Sequence, residues 1–235
     1  ISVTVKSPSG GDLLAATVIA TAFDPLTRTL RPEPPLCVAT SDDRGRATLG
    51  GLRQGQPFVV FAFAEGLAPV RSQILDPDEP LPRVGLTLAR SCTIEGDVVL
   101  ADGSAARDAV IQLTLLDGEP LDAALLSLCG NSAFCGADGH FAFRSLPQAA
   151  FRLLASSASA GVARADPVAV SAGNSASCGR LQLRAAAPIH GFVRARGAGR
   201  FGAQVTLVAA DDQGHELFRW QPELTDANGR FAFPP

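Results

Sequence analysis

C-G-A-D-G-H-F-A-F from Cys135 to Phe143 and T-D-A-N-G-R-F-A-F from Thr225 to Phe233 are one pattern written twice. T-S-D-D-R-G-R-A-T-L, from Thr40 to Leu49, is a looser third copy. The residues before the three glycines lie 94 positions apart from Arg44 to Asp138 and 90 apart from Asp138 to Asn228. A second anchor repeats at nearly the same interval: I-E-G-D-V at Ile94 to Val98 recurs as I-H-G-F-V at Ile189 to Val193, 95 residues later. Self-similarity at a fixed period indicates an array of copied units. The chain divides into repeats over 1–90 and 91–187, followed by the front half of a third over 188–235.

Within each unit the apolar residues alternate, the mark of half-buried strands. Phe141 and Phe143 bracket Ala142, Phe231 and Phe233 bracket Ala232, and Phe61 and Phe63 bracket Ala62. Ile111, Leu113 and Leu115 alternate with Gln112 and Thr114. Asp138-Gly139 and Asn228-Gly229 supply the positive backbone angles of a tight hairpin. Helical spacing occurs only at Leu121, Leu125 and Leu128, which fits one short helix after Pro120 or another strand. Short strands at regular spacing with almost no helix define an all-β fold: tandem antiparallel β-sandwiches of the immunoglobulin-like or transthyretin-like kind, about seven strands each.

Composition narrows function by exclusion. The 235 residues are 46% hydrophobic and 18% charged, which supports a packed core over disorder. The longest apolar stretch, Phe58 to Ala64, has strand length and falls far short of the ~20 residues of a membrane span. A net charge of −3 gives no field to attract nucleic acid. Lys6 is the only lysine beside many arginines and alanines, a bias typical of GC-rich bacterial genes. Met is absent and Ile1 opens directly in an alternating run, so the chain reads as a piece of a longer one. The lack of a leader segment therefore says nothing about export.

The strand and turn motifs, I-x-G-x-V, A-x-V-x-L, T-D-x-N-G-R-F-x-F and the stretch S-L-P-Q-A-A-F-R-L-L-A from Ser145 to Ala155, resemble the carboxypeptidase regulatory-like repeat. That family belongs to the transthyretin-like or Cna-B-like sandwiches. The first repeat departs most, with Arg44-Gly45-Arg46 in place of Asn-Gly-Arg, and the second has Gln148-Ala149-Ala150 where a Pro-x-Gly turn is usual. The resemblance implies non-catalytic modules of secreted or envelope proteins, strung in series or appended to peptidases, receptors and adhesins. Cna-B-like relatives often carry a Lys-to-Asn crosslink. Lys6 lies on a first strand, but Asn131, Asn174 and Asn228 all lie outside the first repeat, so a solvated charge is the simpler reading.

Five cysteines remain to be placed: Cys37, Cys92, Cys129, Cys135 and Cys178. None is in a C-x-x-C pair, and His140, His190 and His215 add no zinc spacing. Cys129 and Cys135 flank a turn-like stretch, and Cys92 and Cys178 precede two strand-like runs. If first and last strands run side by side, as such sandwiches allow, Cys92 and Cys178 would be level. A Cys92–Cys178 bond would then constrain the unfolded chain by roughly 4 to 5 kcal/mol. Disulfides at Cys92, Cys178, Cys129 and Cys135, with Cys37 left over, are weighed against five reduced thiols.

The acidic turns lack the carboxylate number and spacing of a calcium loop, and no nucleophile, base and orienting group converge. No metal, cofactor or catalytic residue is expected. Trp220, flanked by Arg219 and Gln221, is the one candidate stacking platform for a sugar, set against a tryptophan that covers a sandwich edge. The reading is a spacer, display or protein-binding array of an exported bacterial cell-envelope protein, secreted or cell-surface, with an unidentified protein or envelope polysaccharide as partner. The alternatives are a carbohydrate-binding accessory module, tested by Trp220, and a regulatory or folding appendage of a secreted peptidase.

Overall fold

The computed structural model describes the chain except residues 27–28, 31–34, 54, 77–82, 117–119, 158, 186, 211–215, 220–221 and 234–235. Val3 and Val5 are buried on an opening strand, Ser2–Lys6, that lies between Arg46–Thr48, antiparallel, and Val84–Thr87, parallel. A second sheet centres on Thr17–Asp24, which pairs with Phe58–Phe63, Cys37–Thr40 and the short Thr29–Leu30. Val18, Ala20, Phe58, Val60 and Ala62 join the two valines in one buried cluster that runs to Leu88.

The pattern recurs from Cys92 onward. Cys92–Val99 lies between His140–Leu146, antiparallel, and Ser175–Gln182, parallel. Val110–Leu115 pairs with Ser132–Phe134 and Ala149–Ser157, and the latter also pairs with Gly161–Arg164 and Val168–Val170. Ile94, Val98, Phe141, Phe143 and Leu181 share a second buried cluster with Ile111, Leu113, Phe151 and Leu153. The alternation in these strands therefore separates core from solvent as the sequence implies. The fold is all-β, with sheets that are antiparallel except where the opening strand meets the closing one.

From Ile189 the chain starts the same way. Ile189–Phe192 pairs antiparallel with Arg230–Phe233, and Gln204–Val205 with Glu223–Leu224.

Residues 120–129 form a helix, which resolves the alternative left by the leucine spacing. Proline at the first helical position loses no bond that the turn would make, and Asp122 in the first turn favours the helix dipole. Gly130 ends it at φ +82°, the left-handed geometry of a helix C-cap. Leu126 enters the second core, Leu125 is buried elsewhere, and Leu128 is exposed.

The Asp138-Gly139 turn does not join a two-stranded hairpin: Ser132–Phe134 before it and His140–Leu146 after it belong to opposite sheets. The turn is an arch across the core, and so are its counterparts near Gly45 and Gly229. Phe61 and Phe63 also depart from the half-buried pattern that their alternation with Ala62 implies. Their strand is buried on both faces, with Ala62 toward the first core and Phe61 toward the outside of that sheet.

Candidate functional site: three glycine corners and a junction

The three corners are built by the same bonds. Val5 N, Val98 N and Val193 N donate to the carbonyls of Gly45, Gly139 and Gly229 at 2.7, 2.8 and 2.8 Å. The carbonyls of the same valines accept from Leu13, Ala106 and Arg200 at 3.1, 3.0 and 2.8 Å. Each glycine has positive φ, and a Cβ there would stand 2.4 to 2.5 Å from that valine carbonyl oxygen. Only glycine fits such an approach. These residues fasten each corner to its opening strand.

The acidic residues of the corners serve the same end. Asp42 Oδ1 accepts from Arg44 N at 2.9 Å and Arg46 N at 2.8 Å; Asp226 Oδ1 accepts from Asn228 N at 2.8 Å and Arg230 N at 2.9 Å. The amides of Arg46 and Arg230 are the main reason each carboxyl titrates below its usual range. In the second corner Gly136 takes the aspartate's place, and Asp138 instead accepts from His140 N at 3.0 Å. Among the described residues no three His, Cys, Asp or Glu side chains group to hold a metal ion.

A buried hydroxyl pins two of the corners, a feature the motifs alone did not disclose. Ser41 Oγ accepts from Ala16 N at 2.9 Å and donates to the Leu13 carbonyl. Thr225 Oγ1 accepts from Ala203 N at 2.9 Å and donates to the Arg200 carbonyl. Cys135 holds the equivalent place, its amide donating to the Ala109 carbonyl at 3.0 Å. The signal lay in the small residue five positions before each Arg or His that follows the glycine: Ser41, Cys135 and Thr225.

No disulfide joins any of the five cysteines, so the structure gives the disulfide reading no support. The opening and closing strands do run side by side, but Ser175 faces Thr93 and Ser177 faces Glu95. Cys178 therefore lies by Gly96, where a Cβ would be 2.4 Å from its sulfur. That is four strand positions from Cys92, about 13 Å at strand rise, against the ~7 Å Cα limit of a disulfide. The closing strand begins at Ser175, upstream of the cysteine read as preceding it. Cys92 donates instead to the Ser171 carbonyl at 3.2 Å. Cys129 turns back to the Leu125 carbonyl at 3.2 Å on the helix, while Cys135 packs into the second core. Burial pushes both of these thiols up to about 11. Cys37 is half-buried against the first core.

The outer face of the first unit meets the helix of the second. Phe23, Val59 and Phe61 form a buried cluster with Leu125, edged by Leu30 and Phe63. Arg71 Nε donates to Asp122 Oδ1 at 2.8 Å, with its Nη2 also 2.8 Å from that oxygen. Ala89–Arg90 pairs with Leu67–Ala68, and Ser91 Oγ donates to the Gly66 carbonyl at 2.8 Å. The sequence did carry this signal: the unbroken apolar run at Phe58 denotes a strand buried on both faces.

Trp220 and Gln221, with the sugar platform read at that place, lie outside the described residues. Lys6 is exposed at the end of its strand, opposite Thr87. His140 Nδ1 lies 3.2 Å from Asp97 Oδ1 across the strand pair, on the solvent side. A cleft of about 600 Å³ borders the strand Ile189–Phe192, lined by His190, Phe192, Leu224 and Arg230 among others.

These sheets and corners define a β-sandwich chain. No protein-family profile matches it, and no curated protein sequence does. Among solved structures it is similar to the Bacillus anthracis TIE protein, at 12% identity over 99% of this chain and 42% of that one, TM-score 0.29. It is similar to GBS52, the minor pilin of Streptococcus agalactiae, at 10% identity over 83% of this chain and 99% of that one, TM-score 0.33. The shaft pilin SpaA of Lactobacillus rhamnosus GG gives 9% identity over 79% and 97%, TM-score 0.32. The chain thus spans less than half the length of the TIE protein. All three TM-scores are below 0.5, and the fold assignment rests on the chain's own sheets and register.

Proposed function

We propose that this chain is a non-enzymatic array of small β-sandwich modules, over 1–90, 91–187 and the front part of a third over 188–235. Its role is to set distance and orientation within an exported bacterial envelope protein, as a spacer or display segment. One observation carries the reading: the helix Pro120–Cys129 buries Leu125 against Phe23, Val59 and Phe61, and Asp122 holds Arg71 beside it. A spacer needs a stiff joint, and an apolar contact fixed by a charge-assisted bond resists bending where a bare linker would not. The carboxylates of Asp42, Asp138 and Asp226 accept from backbone amides, which ties them to the modules' shape. No helix among the described residues is long and apolar enough to cross a membrane.

Small-angle X-ray scattering on the full chain tests the proposal. The wild-type profile should fit one rigid arrangement, and Leu125→Asp should broaden it into an ensemble while β-sheet circular dichroism stays unchanged. An equally broad wild-type profile would count against the spacer role.

A further inference from the structure

We propose that Asn228 is a self-modification site, deamidating through attack by the Gly229 amide when the third corner opens and shielded from that reaction while the corner is shut. Asn228 is the only asparagine of the chain followed by glycine; Asn131 and Asn174 precede serine. A glycine neighbour leaves its nitrogen unscreened by a side chain, which favours the attack. In the first step Gly229 N loses its proton and bonds to Asn228 Cγ, the Cγ–Nδ2 bond breaks, and ammonia leaves with that proton. Water then opens the cyclic imide at either carbonyl. One opening gives aspartate, the other isoaspartate, whose main chain is one methylene longer.

The closed corner withholds the attacking atom. Gly229 N donates to the Asp226 carbonyl at 2.9 Å, and Val193 N holds the Gly229 carbonyl at 2.8 Å. Gly229 carries positive φ and Asn228 does not, so Asp226 to Gly229 is a type I turn with ψ near zero at Asn228. Closing the imide ring needs roughly a third of a turn about the Asn228 Cα–C bond, away from that ψ. Gly199 stands in the way of this rotation: a Cβ on it would collide with the Asn228 carbonyl and lie 3.0 Å from Gly229 N. The Asn228–Gly229 peptide is thus seated against the bare Gly199 α-carbon. Asn228 itself is exposed, and Arg230 N, which could have tied its carboxamide down, is taken by Asp226 Oδ1 at 2.9 Å.

The other corners share the turn but not the chemistry. Arg44 stands at the same place in the first and has no carbonyl carbon to attack. In the second, Asp138 Oδ1 accepts from His140 N at 3.0 Å, the main reason its carboxyl titrates below the usual range. An ionised carboxylate resists attack by an amide nitrogen. Asp12 and Ala105 fill the position that Gly199 holds in the third. The two products at 228 also differ in fate. Aspartate reproduces the second corner, where Asp138 occupies that place and the turn is intact. Isoaspartate shifts the Gly229 carbonyl away from Val193 N, in a corner where a Cβ on Gly229 would already lie 2.7 Å from Arg200 N. The longer main chain cannot close there, so one opening event converts the corner for good. The site does not depend on the spacer role.

The test follows deamidation of the full chain by peptide mass spectrometry in mildly alkaline buffer, with and without urea. At Asn228 the rate in buffer should be at least tenfold below the rate in urea. Gly199→Ala should raise the rate in buffer severalfold and speed hydrogen exchange at Val193 with it. Deamidation at Asn131 and Asn174 and exchange at residues 92–99 should stay unchanged in that variant, which reports that the rest of the chain is intact. Asn228→Asp should keep the wild-type exchange at Val193, whereas the isoaspartate form, separated by chromatography after ageing, should exchange there at least tenfold faster. Equal rates with and without urea, a wild-type deamidation rate in Gly199→Ala, or an isoaspartate form that protects Val193 as aspartate does would each overturn the proposal.

Discussion

Phe231 lies across Gly191 so closely that a Cβ on the glycine would stand 2.3 Å from the phenylalanine Cζ. The two residues face each other in register, as Gly96 faces Phe141 in the preceding unit. In the first unit the same pair of positions holds Val3 and Ala47. A bulky residue on one strand is matched by a small one opposite, and the two arrangements exchange which strand carries the bulk. This explains why I-x-G on the opening strand and F-x-F after the glycine occur together in the second and third repeats, and why the first, with R-A-T-L after its glycine, has neither at those places.

That exchange predicts a compensating pair. Gly191→Val should loosen the third sheet, at the ~1–3 kcal/mol typical of overpacking, because the three atoms nearest the added Cβ all belong to the Phe231 ring. Adding Phe231→Ala should recover part of the loss, with a coupling of about 1 kcal/mol or more. Amide exchange at Val193, which donates to the Gly229 carbonyl, reads the local opening for both single variants and the double. Strictly additive effects would show that the ring does not press on the glycine.

Acid should weaken the corners in a defined direction. Asp42 and Asp226 titrate below their ordinary value chiefly because backbone amides of Arg46 and Arg230 donate to them. A carboxylate whose folded pKa is depressed adds stability above its unfolded value, and that stability is lost as pH falls through the folded pKa. The urea midpoint should hold steady above about pH 5 and fall as the pH drops below about 4, the ordinary carboxylate value. Asp42→Asn with Asp226→Asn keeps an acceptor oxygen without the titration and should flatten that fall.

The thiols should behave as independent groups, buried at Cys92 and Cys135 and half-buried at the other three. Non-reducing mass spectrometry should find no cysteine-linked peptides. Iodoacetamide at pH 8 should label native Cys129 and Cys135 slowly, and all five quickly in urea. Burial raises these two to about 11, so the unfolded chain releases their protons first. Their contribution to stability is therefore complete below an ordinary thiol pKa and is lost between about 8.5 and about 11 as pH rises. A linked Cys92–Cys178 peptide would contradict the strand register.

Local chemistry made much of the chain legible. Glycine with positive φ, aspartate that caps its own turn, and alternate apolar residues act over a few neighbouring positions, so the three corners and most core strands follow from sequence alone. The helix was legible only as one of two options, because three leucines over eight residues suit either period.

Long-range partners were not legible in this way. Which face Phe61 serves depends on Leu125, more than sixty residues away, and nothing local distinguishes a second sandwich face from a docking face. The Cys92–Cys178 pairing finds no support for a related reason: a strand start displaced by a few residues preserves every pattern yet moves a sulfur by about 3.3 Å per position. Sequence determined where this protein turns and which residues must be buried, since those are costs each segment meets by itself. Tertiary structure alone decided the register of the opening and closing strands and the joint between the first two cores, because those energies arise only when distant segments meet.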